Sequence, residues 1–188
     1  MTTRIGALII GLFIAATPST AWAQSVNSTI TGGSLSVAGT SFTFANTELT
    51  GVTQTISANA GSAWSATDPR GTGAAWSVTV SATTPTSAGG DTETTPRTIA
   101  VGNLAFTTNT QTAGSGSDAT TNLTGQTSLA MSTSAQSVLS CSGACKGKYT
   151  FTPTVAFTVP ANAYRSNYAT GTSGALNPYT STITITIV

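Results

Sequence analysis

The sequence has no histidine, and only 6% of its 188 residues are charged. Catalysis near neutral pH usually depends on a histidine or on paired carboxylates with shifted pKa values. The five acidic residues are scattered, and only Asp91 and Glu93 lie close together. No Gly-x-Ser-x-Gly motif stands after residue 23, and without histidine no serine has the usual base. These absences predict that the protein is not an enzyme.

Clustered positive charge is also scarce. The whole chain has six basic and five acidic residues, and only Lys146 and Lys148 stand close together. Attraction to nucleic acid or to anionic lipid requires a basic patch. We therefore expect neither nucleic acid nor a membrane surface as a partner.

The chain contains only two cysteines, Cys141 and Cys145, separated by Ser-Gly-Ala. In an oxidising compartment this spacing favours a small local disulfide, which stabilises the fold by about 2 kcal/mol at best because the loop is short. A redox pair and half of a metal site are the alternatives. Without histidine or further cysteines, a tetrahedral metal site is not expected, and no cofactor is predicted.

Residues 1–23 have the pattern of a secretory signal peptide. Arg4 supplies a positive charge, an apolar stretch follows over residues 5–16, and Ala21-Trp22-Ala23 places small residues where a signal peptidase reads them. The apolar stretch is shorter than the roughly 20 residues that span a bilayer. We expect cleavage before Gln24 and a secreted mature chain, 24–188, without a membrane span.

Serine and threonine occupy about a third of the positions, and many of them alternate with apolar residues. Such alternation is typical of a β-strand with one buried face. It occurs in the segments 41–44, 75–80, 149–152 and 182–187. Turn-forming clusters separate these segments, and no stretch shows a convincing helical stripe. The pattern predicts an all-β fold, an antiparallel β-sandwich forming a single domain.

Two segments resemble a known family. In the first, a glycine-containing turn from Asp68 to Gly73 precedes the strand Trp76-Ser77-Val78. In the second, Val159-Pro160-Ala161 leads towards a C-terminal strand of alternating threonine and isoleucine. Together they resemble the WxL domain of Gram-positive surface proteins. Val78 stands where the first Trp-x-Leu motif has leucine, and the second motif is missing.

The resemblance to WxL domains implies an all-β domain held non-covalently at the cell wall, through peptidoglycan or another wall glycan. The ligand-binding candidates around the first motif are Trp64, Asp68, Arg70, Trp76 and Val78. Aromatic rings pack against the apolar faces of sugars, while polar neighbours bond the hydroxyl groups.

Each of these candidates also has a structural interpretation. A tryptophan on an alternating strand commonly anchors the core, with its indole N–H bonded to a carbonyl. Asp68 can close an Asx-type turn with Arg70 paired to it. A further aromatic group, Tyr164, Tyr168 and Tyr179, suits either a binding rim or cross-strand packing.

Two non-enzymatic functions follow. The first is a secreted surface module that binds a wall glycan or other surface proteins. The second is a structural subunit that assembles through exposed strand edges into a fibre or layer, because residues 180–187 would form a long uncharged edge.

Overall fold

In the described part of the chain, most segments in which apolar and small polar residues alternate form β-strands. The computed structural model describes residues 27–171 and 174–188, so the expected signal peptide and its cleavage site lie outside the described residues. The described strands are β1 (Ser36–Ala38), β2 (Gln54–Asn59), β3 (Trp64–Asp68), β4 (Trp76–Ala82), β5 (Thr86–Ser87), β6 (Arg97–Thr98), β7 (Leu104–Thr107), β8 (Gln111–Ala113), β9 (Leu123–Gly125), β10 (Leu129–Ala130), β11 (Gln136–Cys141), β12 (Gly147–Phe151), β13 (Thr154–Val159) and β14 (Ile183–Ile187). Two short 3₁₀ helices cover Val101–Asn103 and Thr120–Asn122.

The strands form three four-stranded antiparallel sheets and one short hairpin, β5-β6. The first sheet has the order β1-β3-β12-β8, the second β2-β13-β7-β10, and the third β14-β4-β11-β9. Three stretches of chain pass from one of the first two sheets into the other: β2 leads to β3, β7 to β8, and β12 to β13. The connected strands occur in the same order in both sheets, β3-β12-β8 in the first and β2-β13-β7 in the second. These two sheets therefore form one kinked layer. The third sheet is the opposite layer.

The core lies between the two layers. Inward-facing residues of β4 alternate strictly with half-exposed ones, so that Trp76, Val78, Val80 and Ala82 are buried. Phe106 and Tyr149 from the kinked layer are fully buried against them in the same cluster. The predicted all-β sandwich is confirmed. Its single core contains residues of all three sheets.

Three of the four predicted strand segments are confirmed, as β4, β12 and β14. The prediction for residues 41–44 is wrong, because Phe42 forms only an isolated bridge with Ala60. The residues after it form no strand until β2. The alternation in residues 41–44 instead places the Phe42 and Phe44 rings against aromatic side chains of the core.

Among the described residues, no helix is long and apolar enough to cross a membrane.

Candidate functional site

The turn from Asp68 to Ala75 is braced by an ion pair in which the Asp68 carboxylate is buried and the Arg70 side chain is partly exposed. The Asp68 side chain is fully buried and accepts hydrogen bonds from the Arg70 backbone N–H at 3.0 Å and from Arg70 Nε at 2.9 Å. Arg70 Nη2 also donates to the carbonyl of Ala74 at 2.8 Å. These bonds to Arg70 hold the pKa of Asp68 below its usual range. The arrangement is the Asx-type turn with a paired arginine, and it uses the carboxylate internally.

Both tryptophans of the predicted site are core residues. Trp64 is 2% exposed and Trp76 is 4% exposed. The Trp76 indole N–H donates to the carbonyl of Cys145 at 3.2 Å, and that of Trp64 donates to the carbonyl of Thr40 at 3.0 Å. Val78 is fully buried. In this structure neither ring presents a face on which a sugar could pack, so the structural interpretation of Trp76 is the one observed.

The two cysteines are joined in a disulfide, as the sequence predicts, with their Cα atoms 6.2 Å apart. Both are buried, and the carbonyl of Cys145 receives the Trp76 indole N–H. The Tyr149 ring packs 6.0 Å from that of Trp76. Burial raises the pKa of the Tyr149 hydroxyl, which donates to the carbonyl of Asp118 at 3.0 Å. The disulfide, Trp76 and Tyr149 form one structural unit at the end of the sandwich.

Exposed aromatic rings occur together at a different place, which we call the tyrosine–arginine cluster: Glu93, Arg97, Tyr164, Arg165 and Tyr168. The Arg97 guanidinium lies 4.9 Å from the centroid of the Tyr164 ring, and the Arg165 guanidinium lies 4.3 Å from that of Tyr168. Tyr164 is 67% exposed and Tyr168 is 40% exposed. Each ring therefore has an arginine near it and still presents a large area to solvent.

Glu93 joins the two arginines of the cluster. Its carboxylate pairs with Arg97 at 3.4 Å and with Arg165 at closer range, and it accepts the Tyr168 backbone N–H at 3.2 Å. The Tyr168 N–H and the charge of Arg165 hold the pKa of Glu93 below its usual range. A carboxylate that stays ionised between two arginines fixes both guanidinium groups beside the rings.

Hydrogen bonds from side chains to backbone carbonyls also hold the cluster in place. The Arg97 side chain donates to the carbonyl of Arg165 at 3.0 Å, and the Tyr179 hydroxyl donates to the carbonyl of Tyr164 at 3.0 Å. Asn167 is fully buried, and its amide nitrogen donates to the carbonyls of Ala88 and Thr95. Two distant stretches of chain, around residues 88–97 and 164–168, are thus held together.

A polar concavity of about 580 Å³ lies beside Tyr164. It is lined by residues 92–98, which include four exposed threonines: Thr92, Thr94, Thr95 and Thr98. Within the described part of the chain, the hydroxyl groups of these four threonines make no hydrogen bond. An aromatic face beside free hydroxyl groups, a carboxylate and a guanidinium suits a ligand that is rich in hydroxyl groups.

The described residues contain no group of three or more acidic or cysteine side chains placed to hold a metal ion. The chain matches no family model, no curated protein and no solved structure.

The sequence indicated the tyrosines of the cluster but not the cluster itself. Tyr164, Tyr168 and Tyr179 stand out as an aromatic group, whereas Glu93 and Arg97 lie about 70 residues earlier, in a loop that no pattern connects with them. The available signal was the concentration of charge: Asp91, Glu93 and Arg97 lie within seven residues of a chain that has very few charged residues.

Proposed function

We propose that the protein is a secreted, wall-associated surface module that binds a wall glycan through the tyrosine–arginine cluster. The observation that carries the proposal is the ring of Tyr164, which is 67% exposed, lies near Arg97, and borders the threonine-lined concavity. The resemblance to WxL domains supports the location at the wall. It does not supply the binding residues, because Trp64, Trp76 and Val78 are buried.

The chemistry of the cluster favours a glycan over other polymers. Tyrosine rings contact the C–H faces of sugars, while threonine hydroxyls and the Arg97 guanidinium bond sugar hydroxyls or a carboxylate substituent. Glu93 offsets part of the arginine charge, so a strongly anionic polymer would gain little attraction there. Binding should therefore depend only weakly on salt concentration.

The test is co-sedimentation of the folded protein with purified sacculi, including their attached polymers. We expect Tyr164→Ala to weaken binding by about tenfold, which corresponds to about 1.4 kcal/mol. Tyr164→Phe keeps the aromatic face and removes only the hydroxyl, so it should retain most of the binding. Val52 is apolar, lies outside the cluster and is about as exposed as Tyr164. Val52→Ala is therefore the control for non-specific adsorption.

If folded wild-type protein stays in the supernatant, or if Val52→Ala loses as much binding as Tyr164→Ala, the proposed glycan site is wrong.

A second candidate function is self-assembly, and one observation favours it. Strand β14 is the edge of the third sheet, and it contains no charged residue, no proline and no bulge. Those are the devices by which exposed edges are usually protected from pairing with another chain. A structural subunit that assembles through this edge accounts for their absence.

A further inference from the structure

An apolar groove of about 1680 Å³ opens between the two layers of the sandwich. One wall comes from the second sheet and includes Ile56, Phe157 and Val159. The other wall comes from β14 and includes Ile183 and Ile185. The strands bordering the groove, β2 and β14, are both edge strands of their sheets.

The backbone of β14 has N–H and C=O groups that point away from β4, at the free edge of the sheet beside this groove. Reciprocal hydrogen bonds join Ser77 and Val188, at 2.8 and 2.9 Å, and Thr83 donates to the carbonyl of Thr182. Because bonded and non-bonded residues alternate along an antiparallel pair, the N–H and C=O groups of Ile183 and Ile185 face away from β4. No described residue pairs with them.

The side chains of the same two isoleucines line the groove. A strand added to this edge would therefore bond the backbone of Ile183 and Ile185 and place alternate side chains among the apolar residues of the groove. This is the geometry of β-strand addition, in which main-chain bonds give affinity and side-chain pockets give specificity.

The segment of this chain that borders the groove is held by few contacts. Residues 44–49, which we call the strap, border the groove but make no backbone–backbone hydrogen bond with any described residue. Phe44 is the only half-buried residue of the strap, and its ring lies 5.9 Å from that of Phe157. The preceding strand β1 lies near β14 but pairs with β3. The strap thus leaves the edge of β14 unpaired.

Residues 26–30 have a pattern that suits the groove. In residues 26–30, Val26, Ser28 and Ile30 alternate with Asn27 and Thr29, and none of the five is charged. Ile30 is 93% exposed, the most exposed large apolar residue described. The groove walls named above carry no charge. Glu48, Glu93, Arg97 and Arg165 also line the groove, but the last three form ion pairs centred on Glu93 and Glu48 is exposed, so the segment would not bury an unpaired charge.

We propose that the groove receives residues 26–30 of a second copy of this chain as an added β-strand. This deepens the self-assembly candidate by naming its interface. The groove lining includes Glu93, Arg97, Tyr164 and Arg165 of the tyrosine–arginine cluster, whereas the proposed contact is made by β14. The segment of one copy pairs with β14 of the next, so the contact is head-to-tail and can continue into an open chain of subunits. Gly33, which follows the segment, and the groove lie at opposite ends of β4. The Gly33 backbone N–H donates to the carbonyl of Pro69, at the end of the sandwich where β4 begins, whereas the groove lies at the end of β4 that contains Ala82.

The first experiment compares Ile30→Asp with Thr29→Asp in the chain that begins at Gln24, by sedimentation velocity over a range of concentrations. Wild-type protein should form concentration-dependent oligomers. Ile30→Asp should raise the dissociation constant at least about tenfold, because its carboxylate would enter the apolar groove. Thr29→Asp carries the same charge on the opposite face of the added strand and should assemble like the wild type. Unchanged melting temperatures would show that both variants are folded.

The second experiment locates the contact. A synthetic peptide of residues 24–31, added to ¹⁵N-labelled Ile30→Asp protein, should shift the amide signals of Ile183 and Ile185. The same peptide carrying Ile30→Asp should not shift them. A wild-type protein that stays monomeric, equal effects of the two substitutions on assembly, or peptide-induced shifts that spare β14 would each overturn the proposal. Sedimentation of Ile30→Asp with sacculi tests glycan binding separately, and we expect it to be unchanged.

Discussion

At the scale of single residues, Asp68 is the one charged residue in the described part of the chain that is buried. Its oxygens are removed from water and accept hydrogen bonds from the backbone and the side chain of Arg70. A buried charge that loses its partner costs much more than the pair contributes. The integrity of the turn before Trp76 therefore depends on Asp68 staying ionised.

We expect Asp68→Asn to lower the free energy of unfolding by about 1.5–3 kcal/mol, the value of hydrogen bonds to a charged group. Because Arg70 lowers the folded-state pKa of Asp68, the ionised pair contributes its full stability above the unfolded-state pKa of about 3.9 and loses it as the pH falls through the folded-state value. Urea unfolding between pH 7 and pH 2 measures both effects. Wild-type protein should lose stability below about pH 4, and Asp68→Asn should lose less over the same range; parallel curves for the two proteins would contradict this.

At the scale of elements, β14 has one face towards the core and the other towards solvent. Ile183, Ile185 and Ile187 face inward and are half-buried, whereas Thr184 and Thr186 are exposed. Because the groove leaves the inward face partly open, each isoleucine contributes less than a fully buried one.

We expect Ile185→Asp to lower the free energy of unfolding by about 0.8–1.5 kcal/mol, half of what fully burying an isoleucine side chain contributes. Thr184→Asp adds the same charge to the exposed face and should change stability by less than about 0.5 kcal/mol. Thermal unfolding of the two variants measures the difference. If Ile185→Asp melts like Thr184→Asp, β14 does not contribute to the core as its register indicates.

Periodicity was sufficient to predict β4, β12 and β14, because a strand buried on one face must alternate. It failed for residues 41–44, which alternate just as well but pair with another strand only at Phe42. Alternation reports which face of a segment is buried, and it does not report whether a partner strand exists. For the same reason the sequence did not show the tyrosine–arginine cluster, in which Glu93 meets Arg165 only because the fold brings their loops together.

At the scale of the whole molecule, the predicted cleavage before Gln24 determines how close the proposed interface segment, residues 26–30, lies to the start of the chain. Removal of residues 1–23 would make Gln24 the first residue, with residues 26–30 close to the free end of the chain. An uncleaved leader would place a further 23 residues before that segment and would hinder its entry into the groove of another copy.

We expect intact mass spectrometry of the secreted protein to give the mass of residues 24–188 less two hydrogens, for cleavage before Gln24 and the Cys141–Cys145 disulfide. Alkylation without reduction should add nothing to this mass. A mass that includes residues 1–23, or the uptake of alkylating reagent by both cysteines, would contradict the respective part of the prediction.

The pairing of distant segments in both layers also bears on the time course of folding. Strands that are neighbours in space come from distant parts of the chain: Asn59 pairs with Thr154, and Val78 pairs with Ile187. Folds dominated by such non-local pairs fold slowly, because long loops must close before the contacts that stabilise them exist. Little of the sandwich can form before most of the sequence has been synthesised. If the protein is secreted as its sequence predicts, a chain that stays open for so long would suit passage through a translocation channel and would complete its two layers afterwards.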